Sequence, residues 1–339
     1  MKETGNRLNS QDTRFAGLSD CRLEPHVPNG TRAFAPQSNE FERQNSLSST
    51  YYLTRGAGTL AGWTPQGARH ALGSAISAVS YLGWPSKRRV TQLNMAQVTG
   101  RPVDDPYVRH LALASWRNYG RYAADFLNFP HLDMNAIEQQ MHDLSGGNGW
   151  QSLMMPAIQA GRGAIITTAH FGNYDMAGAL VARHLPLSAV VETFSDERLN
   201  QLVQNQRREK GIGIIPMEGS ARRILRALQQ NQLVAIAVDR PVTPDEGTEV
   251  TFFGRKTYVP DGPAALALKS GAALIPGYLW YGQHNEFYVR IYSPIYPRES
   301  KGEQKASEIA RLTQCMYDTL EDMVRQWPTQ WYMFRQFWP

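Results

Sequence analysis

Only two of the 339 residues are cysteine, Cys21 and Cys315, too few for a disulfide framework. No Cys/His spacing reads as a zinc site, so the two are expected to be free thiols. No stretch approaches the roughly 20 apolar residues that a spanning helix needs. The best candidate, Ala71 to Trp84, is short and dotted with Ser and Gly, so it is not expected to cross a bilayer, though it is suited to lie on one. No apolar core of a secretory signal appears in the first fifty residues. The G-x-S-x-G elbow, H-E-x-x-H and the Walker A loop are missing as well, which leaves a serine hydrolase, a zincin or a P-loop enzyme without its signature. Cys315 lies between Gln314 and Met316 in a helical pattern, a poor setting for a nucleophile.

What is present is a chain with 42% hydrophobic and 19% charged residues, enough apolar mass for a large core. The net charge of +5 suits anionic membranes, acidic substrates and nucleic acid alike. The basic residues are dispersed and no nucleic-acid motif is recognisable, so no nucleic-acid partner is expected. Residues 1–50 are polar, Pro-containing and without hydrophobic period, and read as a disordered tail. Residues 51–339 read as one domain, mainly helical over 51–145 and α/β over 146–339. From Tyr51 to Trp84 an apolar helical pattern with aromatic ends runs into Lys87, Arg88 and Arg89. That combination describes an interfacial helix, though an ordinary amphipathic helix on a soluble core fits the same pattern.

After residue 150, buried-strand runs alternate with helical ones: strands at 164–169, 187–192, 212–216, 233–239, 273–278 and 287–292, and helices between and after them. The expected fold is α/β, with a mixed, largely parallel sheet flanked by helices and an N-terminal interfacial helical segment.

The sharpest local feature is Thr168-Ala169-His170-Phe171-Gly172-Asn173-Tyr174-Asp175. A buried strand ends, a His follows at once, and an Asp opens the next helix. Ligands of open α/β sheets bind beyond the carboxyl ends of strands, where His170 stands. A tight turn can fold Asp175 back onto the imidazole, fixing its tautomer and leaving the other nitrogen to take a proton. The same spacing also describes an N-capping Asp and an ordinary loop His.

H-F-G-N-Y-D resembles the H-x-x-x-x-D/E block of the late lipid A acyltransferases and the similar phosphatidylinositol mannoside acyltransferases, within the lysophospholipid acyltransferase-like superfamily. Asp239-Arg240, then Gly247 to Gly254 (GTEVTFFG), Pro260, Gly262-Pro263-Ala264 and Ala267 to Pro276 resemble the family's second block, and Pro328-Thr329-Gln330-Trp331-Tyr332 its P-E-Q-W ending. The three keep family order over roughly residues 51–338. The resemblance implies a glycerolipid acyltransferase-like fold and transfer of an acyl chain from acyl-ACP or acyl-CoA to a hydroxyl of a membrane glycolipid such as a lipid A precursor. No metal or bound cofactor is implied. It implies His170 as general base and Asp175 as its orienting acid, with Arg208, beside Arg207, stabilising the oxyanion or holding a phosphate. Asn173 and Glu249 join the candidate substrate-binding residues; Glu249 is a possible second acid for His170 or a plain strand-surface residue. Asp239 and Arg240 read chiefly as an ion pair shaping the following loop, and Phe252-Phe253 as groove lining or core. The implied place is the cytoplasmic face of the inner membrane, peripherally attached, with the membrane lipid surface and the acyl carrier as partners. An acyl-thioester hydrolase and a non-catalytic lipid-surface protein are the alternatives. Half of the residues from Trp327 to Trp338 are aromatic, a pattern that suits a bilayer interface, a tail packed on the domain, or both.

Overall fold

The computed structural model describes residues 38–147, 149–282 and 286–338. Helices come first. α1 (Ser38–Trp63), α2 (Gln66–Gly83), α3 (Pro85–Thr99) and α4 (Pro106–Leu127) are separated where the sequence breaks them, at Pro65, at Pro85 and at Gly100 in the left-handed region. Proline is tolerated only in a helix's first turn, so each Pro starts a new segment instead of extending the last. Asp105 caps α4 by accepting from the Tyr107 N–H at 2.7 Å. The continuous helical pattern read from Tyr51 to Trp84 is therefore two helices. Of the tail read over residues 1–50, positions 1–37 lie outside the described residues and 38–50 fall within α1. Residues from Asn45 onward form one compact unit.

α5 (Met134–Gln139), β1 (Met141–Asp143) and α6 (Trp150–Gln159) lead into the alternating part: β2 (Ala164–Thr168), α7 (Tyr174–Ala182), β3 (Leu187–Val191), α8 (Glu197–Glu209), β4 (Gly213–Pro216), α9 (Ser220–Gln229) and β5 (Leu233–Ala237). The hairpin β6 (Thr248–Phe252) and β7 (Arg255–Val259) follows, then α10 (Gly262–Ser270), β8 (Ala273–Tyr281), β9 (Phe287–Ile291) and α11 (Gln304–Gln326). Seven strands form one sheet in the order β1-β9-β8-β2-β5-β3-β4. Neighbours are parallel except β8 and β9, which are antiparallel. The fold is thus α/β with a mixed, largely parallel sheet flanked by helices, as the sequence indicates.

Strand side chains alternate between the two layers. Ile165, Val234 and Leu274 face α9, α10 and α11, where they meet Ala227, Ala267 and Leu312. Ala164, Ile166, Leu233 and Ile275 face the other way, onto Met154 of α6 and Val181 of α7. The strongly aromatic C-terminal run folds back into the first layer: Trp331, Met333, Phe337 and Trp338 are buried with Phe252 and Phe253. Trp331, Tyr332, Phe337 and Trp338 of this run pack into the core while Trp327 stays exposed, so most of its aromatic surface faces the domain, and Phe252-Phe253 belongs to the same core.

α2 and α4 cross at Gly73 and Gly120. A Cβ on Gly120 would stand 2.2 Å from the Gly73 carbonyl oxygen, and one on Gly73 would stand 2.3 Å from that of Gly120. Backbone meets backbone there, so neither side can yield by a rotamer change. Gly120→Ala is expected to lower the unfolding free energy by about 1–3 kcal/mol through overpacking, even though alanine favours a helix by about 1 kcal/mol. Gly67→Ala in α2 meets nothing within 4 Å and should be neutral or stabilising. Denaturant unfolding of the two variants checks the contrast; equal stabilities would show that the helices can separate without cost.

Candidate functional site

β2 and β5 are parallel neighbours with Thr168 opposite Ala237. Two residues further on, the same register sets His170 beside Asp239. The His170 Nδ1 lies 2.8 Å from Asp239 Oδ1, and the His170 backbone N–H donates to Asp239 Oδ2 at 3.0 Å. The Trp331 indole N–H donates to the same Oδ2, also at 3.0 Å. Asp239 is fully buried. Burial pushes its carboxyl pKa up, but the His170 charge, the two His170 hydrogen bonds and the Trp331 donor outweigh that and hold it below the ordinary carboxylate value. The ionised carboxylate therefore accepts from Nδ1–H and leaves Nε2 as the proton-accepting nitrogen.

The turn after β2 is fixed from several sides. Gly172 has φ +57° and a Cβ there would stand 2.0 Å from the Leu279 carbonyl oxygen, so only glycine fits. The C-terminal segment brackets the turn: the Gly172 N–H donates to Gln330 O at 2.8 Å and the Tyr332 N–H to His170 O at 2.8 Å. Asn173 caps α7, its Oδ1 accepting from the Met176 N–H at 3.1 Å. Its Nδ2 donates to the Tyr281 hydroxyl at 2.8 Å, and the side chain is buried. Asn173 is thus a brace of the turn rather than an open binding group.

Asp175 does not sit on His170. Its Oδ1 accepts from Arg207 Nε at 2.7 Å and its Oδ2 from Arg207 Nη2 at 3.3 Å. The Tyr122 hydroxyl, 2.7 Å from Oδ2, donates to the same carboxylate and accepts from Tyr174 at 2.6 Å. Burial opposes the Arg207 charge, yet the Asp175 carboxylate more than offsets it and raises the guanidinium's pKa. The Tyr174 ring in turn stands edge-on to the His170 ring, with centroids 5.4 Å apart. Asp175 therefore reaches the imidazole only through two intervening side chains, Tyr122 and Tyr174. The carboxylate on Nδ1 is Asp239 and not the expected Asp175, because strand register, not the short turn, decides which carboxylate meets that nitrogen.

The cation beside Asp175 is likewise Arg207, whereas Arg208 is exposed and bonded to Asn205 at 2.7 Å. One residue along α8 turns a side chain by about 100°, which separates the two. Glu249 stands on the exposed face of the β6–β7 hairpin, paired with Lys256 at 2.7 Å and away from the His170 ring. The Lys256 hydrogen bond holds its carboxyl below the usual value. Asp239 and Arg240 are not bonded to each other as an ion pair: Asp239 takes the His170 ring at Nδ1, while Arg240 reaches toward Nε2 at 3.3 Å and pairs with Glu192.

Two features of the surroundings carry no short motif. A second buried charge, Asp125 of α4, binds His70 of α2 at 2.6 Å, the Tyr281 hydroxyl at 2.8 Å and Arg69 at 3.5 Å. Through Tyr281 and Asn173 it joins the N-terminal helices to the turn that carries His170. An apolar cavity also lies between the sheet and α6 and α7, walled by Trp150, Met154, Ile166 and Val181 and reaching Thr168 and Tyr174 beside His170.

Residues 39–339 match the family model described as bacterial lipid A biosynthesis acyltransferase. A phosphatidylinositol mannoside acyltransferase of Mycobacterium tuberculosis is 31% identical over 253 residues, 72% of this chain and 75% of that protein. One from Mycolicibacterium smegmatis is 28% identical over 295 residues, 83% of this chain and 90% of that protein. Among solved structures, the 1-acyl-sn-glycerophosphate (LPA) acyltransferase PlsC from Thermotoga maritima covers 78% of this chain and 99% of its own, with 11% identity and a TM-score of 0.37. With a family model spanning nearly all the described chain, this protein belongs to the bacterial lipid A biosynthesis acyltransferase family and is an acyltransferase.

Proposed function

We propose that the protein transfers a fatty acyl chain from an acyl thioester, acyl-CoA or acyl-ACP, to a hydroxyl of a membrane glycolipid, with His170 as general base. The observation that carries this is the Nδ1–Asp239 bond of 2.8 Å, which leaves Nε2 as the basic nitrogen on a ring that is one-quarter exposed. The acceptor hydroxyl gives its proton to Nε2 as its oxygen bonds to the thioester carbon. The tetrahedral intermediate then expels the thiolate, which takes that proton back from the imidazolium. The step needs a base and a donor to the oxyanion, and no resident cofactor.

Both the matched family and its mycobacterial relatives are named for sugar-bearing lipids, which supports a glycolipid acceptor. Membrane attachment is supported by α2, where Leu72 is 61%, Ile76 59%, Val79 69% and Leu82 64% exposed along one stripe. Trp84 and the basic residues Lys87, Arg88 and Arg89 follow directly. Among the described residues no helix is long and apolar enough to cross a membrane, so the stripe is suited to lie in the headgroup layer. We place the enzyme at the cytoplasmic face of the inner membrane, where acyl thioesters are available.

His170→Ala is expected to abolish transfer from radiolabelled palmitoyl-CoA to the lipids of a membrane extract while leaving the thermal unfolding transition in place. Asp239→Asn should reduce turnover by about 10²- to 10⁴-fold, the range in which a positioned base contributes. Near-normal turnover in His170→Ala would remove the base assignment, and release of free palmitate without acylated lipid would identify a hydrolase instead. Asp239 also sets a sign for stability. Its folded pKa is depressed, so the stability it confers is present above the unfolded value of about 3.9 and is lost as pH falls through the lower folded one. The stability gap between wild type and Asp239→Asn should therefore be widest near neutrality and close in acid, as unfolding curves at a series of pH values will show; a gap that widens on acidification would contradict the ionised assignment. Finally, each α2 side chain withdrawn from water is worth about 1.5–3 kcal/mol. The double variant Ile76→Glu, Val79→Glu is expected to bind anionic phospholipid vesicles at least tenfold more weakly in cosedimentation, and unchanged binding would move the membrane face elsewhere.

A further inference from the structure

Two consecutive residues after β5 clasp the same imidazole. Asp239 takes Nδ1, and Arg240 brings Nη2 to 3.3 Å from Nε2. The other arm of the Arg240 guanidinium pairs with Glu192, which follows β3, so the cation is held from the far side by a half-exposed carboxylate. Arginine has five donors and no acceptor and stays charged at any working pH. It can therefore only donate toward Nε2, which agrees with Nδ1 carrying the ring proton. The residues read from the sequence as the cation of the site are engaged elsewhere: Arg207 on Asp175, and Arg208 in solvent. Among the described hydrogen bonds of the His170 ring, Arg240 supplies the only cationic donor.

We propose that Arg240 is the oxyanion-stabilising residue of the acyl transfer, standing on the nitrogen it will later share with substrate. This rests on the reading of His170 as base. Before substrate enters, Nη2 occupies the direction from which the acceptor hydroxyl must reach Nε2. The entering hydroxyl takes that place and the guanidinium moves aside, still held by Glu192. It then lies next to the attacking oxygen. The carbonyl oxygen of the thioester is bonded to the carbon under attack, so its developing negative charge forms within reach of the same fork. As the O–C bond forms, the hydroxyl proton passes to Nε2 and the carbonyl electron pair moves onto oxygen, opposite the guanidinium. As the C–S bond breaks, that pair returns to the carbonyl and the proton leaves Nε2 for the thiolate. Arg240 gains and loses no proton in the cycle. The partly buried setting strengthens its interaction with a charge that exists only in the transition state, so its effect belongs to turnover rather than to ground-state affinity.

The test compares wild type, His170→Ala, Arg240→Ala and Arg240→Lys in steady-state transfer from palmitoyl-CoA to phosphatidylinositol mannoside in mixed phospholipid vesicles. Circular dichroism and thermal melting monitor the fold. Arg240→Ala should lose about 10²- to 10³-fold in kcat, the usual loss for one oxyanion donor, with KM for palmitoyl-CoA within about threefold. Arg240→Lys, which keeps the charge and loses the fork, should fall between. Guanidinium ion at sub-denaturing concentration should restore part of the Arg240→Ala turnover and none of the His170→Ala turnover, a rescue that a merely structural residue would not show. Turnover within about threefold of wild type in both Arg240 variants, or a loss confined to KM, overturns the proposal while the His170 assignment stands if His170→Ala is dead. A wild type that acylates neither this acceptor nor the lipids of a membrane extract overturns the acyl-transfer reading and this one with it.

Discussion

A single buried carboxylate organises the site. Asp239 is out of contact with water, and an isolated ionised carboxylate in that position would cost several kcal/mol. It is tolerated because three donors from two distant parts of the chain converge on it: the His170 backbone N–H and ring, and the Trp331 indole. Each bond to a charged acceptor is worth about 1.5–3 kcal/mol, enough in sum to offset the desolvation. The consequence is geometric. β2, β5 and the C-terminal segment must all be in place before the charge is satisfied, so completing the fold and orienting the imidazole are the same event. The Trp331–Tyr332 segment, paired with the turn by backbone hydrogen bonds, is part of the site although it touches no reacting atom.

The alternation of strand and helix was plain in the sequence because continuous Val/Ile/Ala runs such as those of β2 and β5 are what a sheet covered on both faces requires. His170 was legible for the same reason: it directly follows such a run. Its partner was not, because the choice between Asp175 and Asp239 depends on which strand lies next to β2 and in what register. Both facts are non-local. The signal lay in the two strand ends, AIITTAH and LVAIAVD, whose polar residues stand at matching heights once the strands are paired. Arg207 and Arg208 differ only by a helical rotation that a charge run cannot reveal. β1 and α6 escaped notice because the first is three residues long and the second carries Pro156 inside it.

Around Asp239 stand two further buried acids, each neutralised by an arginine and by tyrosine hydroxyls. Asp175 is held by Arg207 and Tyr122, and Asp125 by Arg69, His70 and Tyr281. Desolvation raises the pKa of Tyr122 and Tyr281 well above the ordinary value, so both stay protonated and donate. The three clusters meet at one short turn. His170 belongs to the first, Asn173 to the third, and Tyr174, whose hydroxyl bonds Tyr122, to the second. Helix α2 and the turn that carries His170 are thereby linked through polar bonds of fixed geometry, from His70 through Asp125 to Asn173.

This arrangement accounts for a His and an Asp five residues apart that do not touch. In a strand–turn–helix unit the residue at the strand end points to the crevice, while the first turn of the helix points back into the protein. Asp175, in that first turn, is favoured by the helix N-terminus and by Arg207. What it holds still is Tyr122 and, through it, the Tyr174 ring that walls the imidazole. A carboxylate bonded directly to Nδ1 from this position would have to turn out of the helix and abandon Arg207 as a buried, unpaired charge, at a cost of about 3–5 kcal/mol. The spacing therefore specifies a braced wall for the His170 ring, and the strand beside it supplies the carboxylate that bonds Nδ1.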